Sequence, residues 1–320
     1  MRFFVLWHRS TGYRIAMKLS QVLDGYWLAN GQRLSRTTTR NYQYIFRRLS
    51  ADVGDIEFEQ IGTDHIRRHL ARIEAGGLAK RSVSDAWVAL SSLWTWAGKE
   101  LGCVHVVKAI PRPRFDDKPI VPFTLEEIQQ LVAAADYGAA WTTRGGKTAR
   151  SKRPTAKRDR AIILTLLDTG LRASELCDLT VGDYDPESGQ LYVRQGKGNK
   201  RRVVYLGQRA RLVVWRYLTG RATRPGDPLF ATGTGGRMDR NNLRHMLNTV
   251  AVQAKLRDVH PHRFRHTFAI WFLRNGGNTF ALQKLLGHEE LATVLKYVHL
   301  AETDVREAQR TASVVDNWRL

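Results

Sequence analysis

The chain is poor in the residues that staple small secreted folds. Its 320 residues include two cysteines, Cys103 and Cys177, too few for a disulfide framework or a four-cysteine zinc site. Long apolar runs are missing as well. The best, AIILTLL at 161–167, falls far short of the roughly 18–20 residues that span a bilayer. The opening MRFFVLWHRS has a five-residue apolar run, below the roughly 7–15 of a signal peptide. These shortages predict a cytoplasmic protein with no membrane partner. No GxxxxGK[ST] phosphate loop occurs and no carboxylate cluster of the two-metal kind stands out. ATP-driven and metal-driven mechanisms are therefore disfavoured, and neither a cofactor nor a metal is expected.

Acidic residues are also scarce. There are 30 Asp+Glu against 51 Lys+Arg, a formal net charge of +21. The excess is not a tail: residues 1–110 hold 16 basic and 9 acidic residues, and 111–320 hold 35 and 21. A long polyanion is the simplest partner, because phosphates neutralised by lysine and arginine release counterions and drive binding. With 43% hydrophobic residues and a length near two domains of about 150 residues, each half has material for its own core.

Residues 1–17 carry no clear pattern and read as a short extension. From 18 to 102 the periodicity predicts a bundle of about four helices. Tyr42, Ile45, Phe46 and Leu49 share one face; Thr63 is placed as the cap of a helix carrying Ile66, Leu70 and Ile73, ended by Gly76–Gly77. A long helix follows with Val83, Trp87, Leu90, Trp94, Ala97 and Leu101 on its stripe. The other faces hold Arg40, Arg47, Arg48, Arg67, Arg68, Arg72, Lys80 and Arg81. A charge run is usually a solvated face, but acids are sparse here, which favours contact with phosphate at Arg40, Arg47, Lys80 and Arg81. KAIPRPRFDDKPIVP at 108–122 contains four prolines and reads as extended linker, within a linker region at 103–121. TLEE at 124–127 opens a second domain, 122–312, with Thr124 capping a helix and Glu127 closing the capping box. Residues 138–158 form a basic loop, read either as a disordered insertion or as a DNA contact; eight Lys/Arg and one Asp occur in 141–160. LYVRQGKGNKRRVVYLG at 191–207 has the alternation and the Gly/Asn turn of a β-hairpin. Asp239 is the expected N-cap of a helix at 240–255. The fold class is mainly α with a small antiparallel β-sheet: a helical N-terminal domain and an α+β second domain, with a tail at 313–320.

In HPHRFRHTFAIWFLRNGG, Pro261 suits the first turn of a helix and Gly276 its stop. His262 and Arg265 are three apart and share a face near the helix start, a ready anion site. His266 follows His262 at i+4, the spacing of a zinc pair, but two arginines sit inside HRFRH and repel a metal. Arg263 points about 100° away from His262 and is a weaker partner. TGLRASELCDL places Arg172 past a glycine turn with Glu175 at i+3 to orient it; GKGNKRR places Lys197 at a hairpin tip; LLGH ends a helix at Gly287 with His288 at the corner; Tyr297 comes nine residues later, with Val294, Leu295 and Val298 beside it.

The ordered strings TGLRASEL, GKGNKRR, PHRFRHTFA and LLGH…Y resemble those of the tyrosine recombinases, or phage integrases. The resemblance covers 122–312, and 18–102 is similar to that family's core-binding domain. It implies six catalytic positions: Arg172, Lys197, His262, Arg265, His288 and Tyr297. It also implies a roster of roles. The arginines clamp the phosphoryl oxygens, Lys197 protonates the 5′ oxygen, Tyr297 attacks phosphorus to form a 3′-phosphotyrosyl bond, His262 assists proton transfer, and His288 bonds the phosphoryl group. The implied activity is site-specific cleavage and rejoining of duplex DNA without metal or ATP, by a two-domain, Xer-like enzyme. Two basic domains would close on the duplex as a clamp. The implied assembly is a homotetramer on two DNA sites, with an accessory or partner recombinase as a further candidate. A helix at 301–311 and the apolar residues Val314, Val315, Trp318 and Leu320 would help assemble it. A type IB topoisomerase-like nicking-closing enzyme and a non-catalytic DNA-binding protein are the alternatives.

Overall fold

The structure, a computed structural model, describes residues 16–115, 119–138, 141–142, 148–149, 151–194, 201–287, 291–301, 309, 313 and 315. The chain divides into two compact units, Met1–Lys118 and Pro119–Leu320. The described residues are mostly helical with short antiparallel pairings, as the fold class predicted.

The first unit has four α-helices: α1 (Leu19–Asn30), α2 (Arg36–Val53), α3 (Thr63–Ala75) and α4 (Lys80–Glu100). Ser35 caps α2 by accepting from Thr38 N. α3 begins at Thr63 itself with Gly62 as its N-cap, one residue earlier than the capping pattern predicted. α4 is the centre. Val83, Leu90, Trp94 and Ala97 are buried as the stripe requires, but Ala86, Ala89 and Leu93 are buried as well. The reason is that α1, α2 and α3 all pack on α4, so one stripe cannot serve three neighbours. Phe58 stacks on Trp94 at 4.7 Å between ring centroids. Each such fully buried large side chain contributes roughly 1.5–3 kcal/mol. The core runs past residue 102: Val107 and Ile110 belong to it, and Trp87 Nε1 donates to Ile110 O at 2.9 Å.

The second unit contains α5 (Leu125–Asp136), β1 (Trp141–Thr142), β2 (Thr148–Ala149), α6 (Ala156–Thr169), α7 (Ala173–Asp178), β3 (Gln190–Val193), β4 (Arg202–Tyr205), α8 (Gln208–Leu218), α9 (Arg240–Gln253), α10 (Pro261–Arg274), α11 (Thr279–Leu286) and α12 (Leu291–Ala301). The capping box that opens α5 forms as predicted: Glu127 N donates to Thr124 Oγ1 and Thr124 N to Glu127 Oε2. Asp239 caps α9 through Asn242 N. The hairpin β3–β4 pairs Leu191 with Val204 and Val193 with Arg202.

α6 is the core helix. It contacts α5, α8 and α10, and Ile162, Ile163 and Leu166 are all fully buried. In the basic stretch at 138–158, β1 pairs with β2 and Tyr137 with Lys152. Its flank is not wholly outward-facing. Arg153 and Arg158 both pair with buried Asp159, and Arg160 pairs with Asp136. Three of the cations counted there therefore serve the fold. α12 packs on α10 and α11 over Ala269, Ile270, Leu282 and Leu286.

Candidate active site

Gly170 ends α6 in the left-handed region, φ 60°. A Cβ there would meet Phe268 Cδ1 at 2.5 Å and Leu286 at 3.0 Å, so both conformation and space demand glycine. This turn delivers Arg172 to the head of α7. Its backbone N donates to Glu175 Oε2 and its Nη1 to Glu175 Oε1, both at 2.8 Å. Glu175 orients Arg172, as the i+3 spacing predicted.

A second arginine, which the sequence pattern did not single out, grips the same carboxylate. Arg202 donates from Nη1 and Nη2 to the two Glu175 oxygens at 2.8 and 2.7 Å, a two-pronged pair. Its side chain is 9% exposed. Burial alone would raise the Glu175 pKa, but Arg202 and Arg172 outweigh it and hold it at about 2. The signal for Arg202 was present in the strand alternation. It lies opposite buried Val193 and two residues from buried Val204, so it points inward, where an arginine requires a carboxylate.

Arg265 is 3% exposed. Its Nη1 donates to Gly170 O at 2.8 Å and its Nη2 to Leu286 O at 2.7 Å. Burial and the nearby charge of Arg172 lower its pKa to about 10, so it remains a cation at neutral pH. Arg202 Nε reaches Leu285 O at 2.7 Å and Arg172 Nη2 reaches Gly287 O at 3.5 Å. Three consecutive carbonyls at the end of α11 thus each receive one arginine. Those carbonyls carry the negative end of the helix dipole. Gly287 closes α11 in the left-handed region, φ 63°.

His262 stands exposed at the start of α10. Desolvation by the protein around it, then Arg265, His260 and Arg172, lower its pKa. Arg263 takes no part in this group. It pairs with Glu127, donates to Val121 O and Arg257 O, and lies over the Phe123 ring at 4.0 Å, so it fixes the start of the unit. Tyr297 is 5% exposed. Burial raises its pKa against the lowering pull of Arg265 and Arg172. Its hydroxyl lies 2.9 Å from His266 Nδ1. The structure thus brings together Arg172, Glu175, His262, Arg265 and Tyr297. Lys197 and His288 lie outside the described residues, as does most of 302–320.

A preorganised cluster of cations, neutral imidazoles and one phenol suits phosphoryl transfer to tyrosine. The profile of the phage integrase family matches residues 123–304. Tyrosine recombinase XerC of Pelobacter propionicus is 39% identical over 259 residues, 79% of this chain and 80% of the relative. XerC of Oceanobacillus iheyensis is 30% identical, covering 84% and 86%. Among solved structures, the Tn1549 transposon integrase bound to a circular intermediate DNA has the same fold: TM-score 0.74, 19% identity, 88% of this chain and 95% of that one. A lambda integrase tetramer bound to a Holliday junction follows: TM-score 0.69, 18% identity, 88% and 77%.

The chain belongs to the phage integrase family. Within it, the chain is a tyrosine recombinase, a site-specific DNA recombinase similar to the Xer enzymes. The topoisomerase-like alternative gains no support from these relatives.

Proposed function

We propose that this recombinase cleaves and rejoins duplex DNA with Tyr297 as nucleophile, Arg172 and Arg265 as clamps on the scissile phosphate, and His262 beside them. Lys197 is the acid that protonates the departing 5′ oxygen, and His288 bonds the phosphoryl group. Tyr297 Oη attacks phosphorus, the P–O5′ bond breaks, and a 3′-phosphotyrosyl bond conserves the energy for rejoining. Two planar cations offset the charge that builds on the nonbridging oxygens. Glu175 orients Arg172. The observation that carries this reading is geometric: Glu175, Gly170 O and the last carbonyls of α11 fix Arg172 and Arg265, and the residue next to Arg265, His266, meets the Tyr297 hydroxyl.

Residues 18–102 bind DNA as a core-binding domain, with Arg40, Arg47, Lys80 and Arg81 meeting phosphate. Arg40 and Arg47 are exposed on α2 and Lys80 and Arg81 at the start of α4, which supports that use. Residues 122–312 are the catalytic domain. The working assembly is a homotetramer on two DNA sites, by extension from the lambda integrase tetramer of the same fold.

The test is covalent capture. The full chain is incubated with sheared genomic DNA of its source, and protein–DNA adducts are recovered, sequenced and mapped by peptide mass. The adduct is expected on Tyr297, and Tyr297→Phe should bind DNA but form none. An adduct on another residue, or one that persists in the Phe variant, overturns the assignment.

A further inference from the structure

The resemblance gives His262 a part in proton transfer without a partner, and the proposed roles supply an acid for the leaving oxygen but do not fix which group takes the phenol proton when Tyr297 attacks. Among the described residues, one acceptor lies at hydrogen-bond distance: His266 Nδ1, 2.9 Å from the hydroxyl, with the two rings 5.6 Å apart between centroids. We propose that His266 is a catalytic residue, the base that takes the proton from Tyr297 as the phenol oxygen bonds to phosphorus. This rests on Tyr297 being the nucleophile, as argued above. The Tyr297 O–H bond breaks and its proton moves to His266 Nδ1. The Oη–P bond forms as P–O5′ breaks, and the 5′ oxygen takes its own proton from the acid. In rejoining each step reverses: the 5′ hydroxyl attacks, phenolate departs, and His266 returns the proton.

The surroundings of His266 make this base conditional. The titratable and charged groups facing it among the described residues are His262 and Arg265 on α10, His260 at its N-cap, and Tyr297 from α12. Burial, then the two histidines and Arg265, bring its pKa down to about 4, while burial raises that of Tyr297. The imidazole is therefore neutral, and with its proton on Nε2 it presents Nδ1 to accept from the phenol. With no DNA bound, the two pKa values are driven apart and the phenol keeps its proton. A phosphodiester seated between Arg172 and Arg265 brings a negative charge that offsets the cations bearing on His266, and this makes an imidazolium there less costly. The nucleophile is thus idle until the scissile phosphate arrives. Arg265 takes part in both effects: it lowers the basicity of His266 in the empty site and holds the anion that restores it.

His266→Asn separates proton acceptance from positioning. An asparagine amide oxygen can accept the phenol hydrogen bond near the Nδ1 position but cannot carry the proton away. The assay is single-turnover covalent capture of a nicked duplex carrying the recovered site, for the wild type, His266→Asn and His266→Ala, with DNA binding followed by gel shift. Both variants should bind DNA normally and lose at least about 10²-fold in capture rate, within the usual range for a general base. Their rates should climb roughly tenfold per pH unit between about pH 7 and 9 as phenolate forms unaided, while the wild type stays nearly flat. A 5′-bridging sulfur, which needs no protonation to leave, should rescue Lys197→Ala and leave His266→Asn slow. Capture restored to wild-type rate in His266→Asn would overturn the proposal in favour of simple positioning, and so would undiminished capture in His266→Ala. With the adduct still on Tyr297, either result defeats this proposal alone. An adduct on another residue defeats the nucleophile assignment first.

Discussion

In the first unit Arg40 and Arg47 lie on outward faces of α2, while the helices behind them close over aliphatic and aromatic side chains. In the second, Arg265 and Glu175 are each 3% exposed and Arg202 is nearly so, with carbonyls and a carboxylate as their partners. The same residue type is spent in two ways. A solvated arginine costs the fold little and can meet a phosphate wherever the backbone of a duplex runs. A buried arginine is costly to desolvate and is held in one orientation by its hydrogen bonds. The contrast separates attraction from chemistry: diffuse charge gathers a polyanion, and fixed charge stabilises a transition state.

The sharpest way to break this contrast is at Glu175. Glu175→Ala leaves Arg172 and Arg202 without their shared counter-ion and should destabilise the second unit by about 3–5 kcal/mol, the usual cost of an orphaned buried charge. Chemical denaturation followed by a probe in that unit measures it, and cleavage should fall with it. The same pair sets an acid limit. The Glu175 pKa is depressed in the folded state, so its stabilising contribution is complete above the ordinary value near 4.5 and fades as pH falls toward about 2. Acid unfolding of Glu175→Gln should lose that component.

Next in size is Gly170→Ala. A left-handed φ and a 2.5 Å approach to Phe268 should together cost about 1–3 kcal/mol. Because Gly170 O anchors Arg265, capture should fall even where the protein remains folded. A melting curve beside a capture assay at low temperature separates the two effects. The smallest effect on stability is expected for Arg40→Ala with Arg47→Ala, within about 0.5 kcal/mol. Their effect should appear instead in the salt dependence of DNA binding, with the slope falling by about 0.9 for each phosphate no longer neutralised. A large drop in stability in the double variant would erase the contrast between the units.

The parts of this molecule that were legible in the sequence are those written by local rules. Thr124 with Glu127, Asp239, Pro261 and Gly287 each mark an end of a helix through hydrogen bonds or backbone angles spanning a few residues. The Arg172–Glu175 pair is of the same kind. What escaped was set by distance along the chain. Arg202 meets a carboxylate 27 residues away, and His266 meets a phenol 31 residues away. Neither pairing has a spacing rule, because it depends on how α7, β4, α10 and α12 pack. Arg263, three residues from His266 and adjacent to the core stripe, proved to hold the segment at 121–127. The breadth of the α4 core was hidden for a related reason: a single periodicity records one buried face, and α4 serves three neighbours.

The last turn of α11 bears on how such an enzyme can change over generations. Many proteins trade robustness against activity, since functional groups are held in costly arrangements that a more stable variant would relax. At Leu285, Leu286 and Gly287 the two interests coincide. Arg202, Arg265 and Arg172, drawn from three separate stretches of chain, each bind one of these carbonyls, so the two cations proposed for the phosphate, with Arg202 beside them, also knit those stretches into one body. A change that loosens any of them weakens fold and reaction together, and selection for either preserves both. Arg40 and Arg47, exposed on α2, are of the other kind: a change there leaves the cluster at the end of α11 untouched.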